Sequence, residues 1–297
     1  MKPLSTSTTA VLLVLSGGHL LAQAPAPLAT IPETETFEIH SEFVDADFQI
    51  SVSFPFGYRQ MADAQFPALY VPDAWWTFGM ATDIARVLSA DQLIPPILVV
   101  GIGYPGGLGD AIALRVRDLT FRQSDAVEQF IAQEVAAFGP HPPLTSGGAD
   151  DFLRFLTEEL APRIERDYRG DSDQRVLHGH SLGGSFVVDA VFRRPEAFTN
   201  YIASAPALQI DDGVSFLNER EYAAAHESIP TSLYIAVGLL DEPELVASVA
   251  ALEDTLKVRE YDALRWEVTR FEGQTHRSVM PVVLRDGLRW VFSNPRP

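Results

Sequence analysis

Phe48-Gln-Ile-Ser-Val-Ser-Phe54 alternates apolar and polar residues without a break. A period of two marks a strand with one face buried and one wet. Phe66-Pro-Ala-Leu-Tyr-Val71 reads as a second strand. Ile97-Leu-Val-Val-Gly101 is a continuous apolar run behind two prolines, the pattern of a strand buried on both faces. Between these runs, Trp76 to Leu88 has helical character. Asp150 to Asp167 predicts an amphipathic helix, because Phe152, Leu153, Leu156, Leu160 and Ile164 fall on one face. Pro162 predicts a kink in it.

The second half keeps alternating. It predicts a strand at Arg175–Gly179, a helix from Leu182, and strands at Tyr201–Ser204 and Ser232–Val237. A helix from Pro243 to Lys257, a strand at Arg265–Phe271 and a helix from Pro281 to Phe292 follow. Strands interleaved with helices imply an α/β fold with a mainly parallel central sheet and helices on both faces. The early alternating strands imply an antiparallel N-terminal edge. The segment 121–148 fits least well. Gly139-Pro-His-Pro-Pro-Leu-Thr-Ser-Gly-Gly148 is a loop, and the segment reads equally as a lid or a surface excursion.

The ends change the picture of where the protein works. Met1 to Ala24 reads as a secretory signal: Lys2 is its positive start, Ala10-Val-Leu-Leu-Val-Leu15 opens its apolar stretch, and Ala22-Gln-Ala24 is the cleavage site. Residues 25–35, rich in Pro, Ala and Thr, read as a disordered leader, leaving 36–297 as a single domain. A membrane anchor is the competing reading, but the run is broken by Ser16-Gly17-Gly18-His19 and is short for a bilayer span. The 297-residue chain has no cysteine, which excludes disulfides, thiolate chemistry and a lipoprotein anchor. Export without cysteine suits a bacterial periplasm or secreted pool. A net charge of −18 argues against nucleic acid and anionic membrane surfaces as partners.

The chemistry concentrates at Gly179-His-Ser-Leu-Gly183, a G-x-S-x-G pattern between a predicted strand and a predicted helix. Small residues on both sides allow a sharp turn that lifts Ser181 above the carboxyl ends of the strands. The next helix offers its first N–H groups, Leu182 foremost, to a developing oxyanion. A serine needs a base. In this architecture the order is Ser, acid, His, and two histidines follow Ser181. His226 lies in a predicted helix and reads as a surface residue; His276 lies in a loop between a strand and the last helix, where a base belongs. His178 reads as a packed core histidine, and His180 fills the variable position of the motif.

The acid belongs after strand Ser232–Val237, where Asp241, Glu242 and Glu244 compete. Asp241 is favoured because it precedes the helix cap, while Pro243 and its neighbours suit a helix start. The second oxyanion donor is expected from Pro72-Asp-Ala-Trp-Trp76, with the Trp75 N–H first. Trp76, Arg115 and His180 are candidates for substrate contact; Arg115 and Arg117 also suit ion pairs with Asp118 and nearby acids. No metal-ligand spacing occurs, and no cofactor is implied.

Val100-Gly-Ile-Gly-Tyr104, Arg115-Val-Arg-Asp-Leu-Thr120, Ser146 to Leu156, Gly179-His-Ser-Leu-Gly-Gly184, Gly273-Gln-Thr-His276 and Arg285-Asp-Gly-Leu-Arg289 occur in that order. Together they resemble the putative-esterase family of α/β-hydrolases, most closely its branch of siderophore esterases, which open trilactones such as enterobactin and bacillibactin. The resemblance spans Thr36 to Phe292. It implies Ser181 and His276 as catalytic and an acid at the Asp241 position, though some members rely on a Ser–His dyad. Two segments depart. Members carry Ser-Pro-Ser and a tryptophan pair where this chain has Ala205-Pro-Ala-Leu-Gln-Ile210, and Leu-Asp-Gly where it has Pro72-Asp-Ala74. The expected activity is hydrolysis of a small-molecule carboxylic ester through an acyl-enzyme. An acyltransferase of the same superfamily, or a silent ligand-binding homologue, would share these residues. The first departure predicts broad activity on short acyl or aryl esters and weaker cleavage of trilactone siderophores.

Overall fold

The computed structural model describes residues 30–139, 141–210 and 213–293. The signal and residues 25–29 of the leader lie outside these residues. The chain divides into Met1–Ile31 and a body of Pro32–Pro297, and the sheet, its helices and the candidate site all belong to the body.

Eight strands form one sheet in the order β1-β2-β4-β3-β5-β6-β7-β8. They are β1 (Thr34–Ser41), β2 (Ala46–Ser53), β3 (Phe66–Val71), β4 (Leu98–Gly103), β5 (Gly170–His180), β6 (Asn200–Ser204), β7 (Ser232–Gly238) and β8 (Arg265–Phe271). Thr34 and Glu35, expected to belong to the leader, open β1. β1, β2 and β4 pair antiparallel, and every other pairing is parallel. Phe48, Ile50 and Val52 turn inward from β2 as its alternation requires. All residues of β3, β4 and β7 are buried, so the sheet is covered on both faces there.

The helices are α1 (Ala74–Ala90), α2 (Leu108–Asp118), α3 (Asp125–Val135), α4 (Ala149–Arg154), α5 (Ala161–Tyr168), α6 (Leu182–Arg193), α7 (Val214–Ala223), α8 (Pro243–Arg259) and α9 (Met280–Phe292). Between α4 and α5, Phe155–Leu160 is a π-helical stretch. The predicted helix is therefore continuous, and its predicted apolar face is buried at all five positions. Pro162 has no N–H to offer the carbonyl four residues back. The ladder meets that gap by widening just before the proline, a placement sequence periodicity does not foretell.

Within 121–148 the structure has a helix as well as the predicted loop. α3 packs on α2 through Ile112, Val116, Val127, Ile131 and Val135, and Ile210 and Leu144 rest against this cluster. The base of the segment is pinned by Gly147 N–H on Thr120 Oγ1 and by Ser146 Oγ on Glu128 Oε1. His226 falls beyond the end of α7, not in a helix as its surroundings suggested. Among the described residues no helix is long and apolar enough to cross a membrane.

The chain leaves β3 towards β4 on one side and returns to place β5 on the other. Strand order reverses at β3/β5, and ligands of open α/β sheets bind outside the carboxyl ends at such a point. The Ser181 turn ends β5, and the β3–α1 turn at residues 72–73 ends β3.

Candidate active site

β5 delivers the buried run Val176–His180 and stops at Ser181, whose φ of 59° and ψ of −118° are rare for a residue with a side chain. A conformation of this kind costs about 1–3 kcal/mol and persists only where the surroundings impose it. Ser181 N–H donates to Ser204 O at 2.9 Å, and Ser181 O accepts from Ser185 N–H at 3.0 Å and Ala207 N–H at 3.3 Å. Gly179 is required: a Cβ there would collide with the Gly183 carbonyl. The elbow is thus built by close backbone packing between β5, α6 and the end of β6.

His276 and Asp241 come from separate loops that are stitched together. Leu239 N–H donates to Phe271 O at 2.9 Å and Leu240 N–H to Gln274 O at 2.9 Å. Gly238 permits this approach, since a Cβ on it would strike Gln274 O. His276 Nδ1 then lies 2.8 Å from Asp241 Oδ2. The Asp241 side chain is 1% exposed and the His276 side chain 34% exposed. Glu242 N–H donates to Asp241 Oδ1 at 2.8 Å, so both carboxylate oxygens are engaged. Glu242 caps α8 and Glu244 sits in its first turn, both exposed. Of the three competing acids, the structure brings Asp241 to the histidine.

His276 is set beside the elbow by His180, whose ring centroid lies 4.6 Å from its own. His180 is buried, with Nδ1 3.0 Å from Ser204 Oγ. Burial first, and then the charges of His276, His178, Arg115 and Arg277, push the His180 imidazole well below its ordinary value. His178 is fully buried and pushed down to about 3 by burial alone. Neither of its ring nitrogens has a hydrogen-bond partner among the described residues.

Leu182 and Trp75 occupy the first turns of α6 and α1, where N–H groups have no intrahelical carbonyl to meet. The α1 start is set by Asp73, held at φ 59° and ψ 41°, whose carbonyl accepts from Trp76 and Thr77 N–H. Arg115 grips the Asp73 carboxylate with Nε at 2.7 Å and Nη2 at 2.8 Å. Its guanidinium also lies 5.8 Å from the Trp76 ring centroid. This fork ties the β3–α1 turn to α2. A Cβ on Gly183 would come within 3.5 Å of the Asp73 carboxylate, so the pair abuts the elbow. Arg117 pairs with buried Asp118, which also accepts from Tyr104 O–H at 2.9 Å. Burial raises the Asp118 carboxyl above its ordinary value against the opposing pull of Arg117. Trp75 and Trp76 are exposed at the end of β3. Asp73 and Ser204 were missed by sequence reasoning; nothing local to either residue signals its long-range partner.

A mainly parallel sheet with a strained serine at the switch point and a His–Asp pair beside it defines an α/β-hydrolase. The chain belongs to the Putative esterase family, whose model matches residues 41–278. It is 30% identical over 278 residues to the ferri-bacillibactin esterase BesA of Bacillus subtilis, covering 90% of this chain and 92% of the relative. It is 27% identical over 307 residues to the siderophore triacetylfusarinine C esterase of Aspergillus fumigatus, covering 92% and 98%. The crystal structure of BES protein from Bacillus cereus is similar, with a TM-score of 0.75, 26% identity, and coverage of 90% of this chain and 99% of that one. The protein is a carboxylic-ester hydrolase.

Proposed function

We propose that Ser181, His276 and Asp241 form the catalytic triad of this hydrolase. The His276–Asp241 hydrogen bond beside the strained serine carries the reading. Ser181 Oγ attacks the ester carbonyl carbon while its proton passes to His276 Nε2. Asp241 holds the Nδ1–H, fixing the tautomer and stabilising the imidazolium. The N–H groups of Leu182 and Trp75 take the charge on the carbonyl oxygen. The tetrahedral intermediate collapses by expelling the alkoxide, which takes the proton from His276. Water, deprotonated by the same imidazole, then releases the acyl group as a carboxylic acid.

The names of the relatives support a siderophore ester as substrate. A second reading, short acyl or aryl esters, is favoured by Ala205, Ala207, Gln209 and Ile210, which offer no broad aromatic face. Export to the periplasm or beyond completes the proposal, and a mature chain beginning after Ala24 is its check.

The test is turnover together with mass-detected labelling by a fluorophosphonate. Ser181→Ala is expected to lose about three orders of magnitude or more in kcat and to take no label, with its fold intact. Asp241→Asn should cost less than His276→Ala, while Glu242→Gln and Glu244→Gln stay near wild type. A folded Ser181→Ala enzyme with normal turnover would overturn the assignment. Crippled Glu242→Gln with a silent Asp241→Asn would move the acid.

A further inference from the structure

Asp241 secures one end of the His276 ring. A single hydrogen bond leaves the imidazole free to rotate about it, and His276 is open to solvent on one side. Another ring stands against it: His180, with centroids 4.6 Å apart and planes at 46°. His180 is 6% exposed and anchored through Nδ1 to Ser204 Oγ. Ser204 is fully buried, and its hydroxyl proton needs an acceptor. His180 Nδ1 supplies one, which assigns the His180 proton to Nε2. That Nε2 is buried and has no hydrogen-bond partner among the described residues. The ring is therefore retained at the cost of an unmet polar group, next to the base and one residue before the nucleophile. Ser204 also receives the Ser181 N–H on its carbonyl. One residue thus holds both the elbow and the His180 ring.

We infer that His180 is a positioning residue: its buried ring walls the face of His276 and keeps Nε2 of that base aimed at Ser181. This rests on the Ser181–His276–Asp241 triad proposed for the hydrolase. Misplacement of a catalytic group by about 1 Å can cost about a hundredfold in rate, so a wall of this kind is worth a buried imidazole. His180 suits the place because burial holds it neutral, and no second cation forms beside His276 when the base takes its proton.

The mature enzyme carrying His180→Phe or His180→Gln separates the ring from its hydrogen bond. Phenylalanine keeps the wall and abandons Ser204; glutamine keeps a partner for Ser204 and removes the wall. With p-nitrophenyl butyrate, His180→Gln is expected to lower kcat by about 10- to 100-fold with KM within about twofold. Its fluorophosphonate labelling rate should fall in parallel. His180→Phe should stay within about threefold of wild type in kcat while melting at a lower temperature, since the Ser204 hydroxyl loses its acceptor. The reverse order of the two variants overturns the inference, as does a loss carried by KM, which would make His180 a substrate contact. Ser181→Ala run alongside separates the failures. If it is inert while both His180 variants are normal, the triad stands and only the wall falls. If it turns over normally, the triad itself is wrong.

Discussion

At the scale of single residues, the site is assembled from side chains that each break a local rule. Ser181 sits at positive φ, Asp73 sits at positive φ, and His178 is buried with no hydrogen-bond partner among the described residues. His178 gives the clearest consequence. Its folded-state pKa of about 3 lies below the ordinary 6.5. Between those values the unfolded chain binds a proton that the folded chain refuses, so stability falls as pH drops from about 6.5 towards 3. At pH 5 the loss from this group is about 2 kcal/mol. His178→Leu removes both that loss and the unpaired ring nitrogens. The variant is expected to melt higher than wild type, and its difference in Tm between pH 8 and pH 5 should shrink. An unchanged difference in thermal melts at the two pH values would show that His178 is protonated or hydrated in the folded protein.

At the scale of elements, β2 to β8 and the major helices followed from periodicity, β1 went unread, and β3 and β8 match their predicted bounds. The signal is strong where the environment is regular: β3 is buried throughout, and the alternating Phe48, Ile50 and Val52 of β2 face the core. α2 and α3 went unread, and the helix predicted around His226 ends earlier, at Ala223 of α7. α2 carries Arg115, Arg117 and Asp118 on buried or half-buried positions, so its polarity does not report its burial. Those charges are tolerated inside because each meets a partner from the same cluster: Asp73 for Arg115, and Arg117 with Tyr104 for Asp118. The same pairs account for the Arg-Val-Arg-Asp spacing that stood out in the sequence. The π-helical stretch is a different failure. Its buried face is legible, but its register depends on a missing N–H at Pro162, which a periodicity count does not see.

At the scale of the whole molecule, charge and surface bear on which ester reaches the site. The chain carries a net charge of −18. An anionic ferric trilactone approaches against that field, and a neutral ester does not. We expect kcat/KM for p-nitrophenyl butyrate to exceed that for a trilactone siderophore. The siderophore value should rise as salt is raised from about 10 mM to about 150 mM, over which the screening length shortens severalfold, while the butyrate value stays flat. A siderophore value far above the butyrate value would show that Ala205 to Ile210 forms an adequate bed for it without aromatic rings. Sequence by itself determined the alternation of β2 to β8 with the major helices, the serine elbow and the histidine loop, because each is written in neighbouring residues and their spacing. Tertiary structure alone decided the rest. Asp241 meets His276 across 35 residues, Asp73 meets Arg115 across 42, and His180 meets Ser204 across 24. Three acids within four residues look alike along the chain. Only the stitching of the β7 and β8 loops turns one carboxylate inward to His276 and leaves the other two in water.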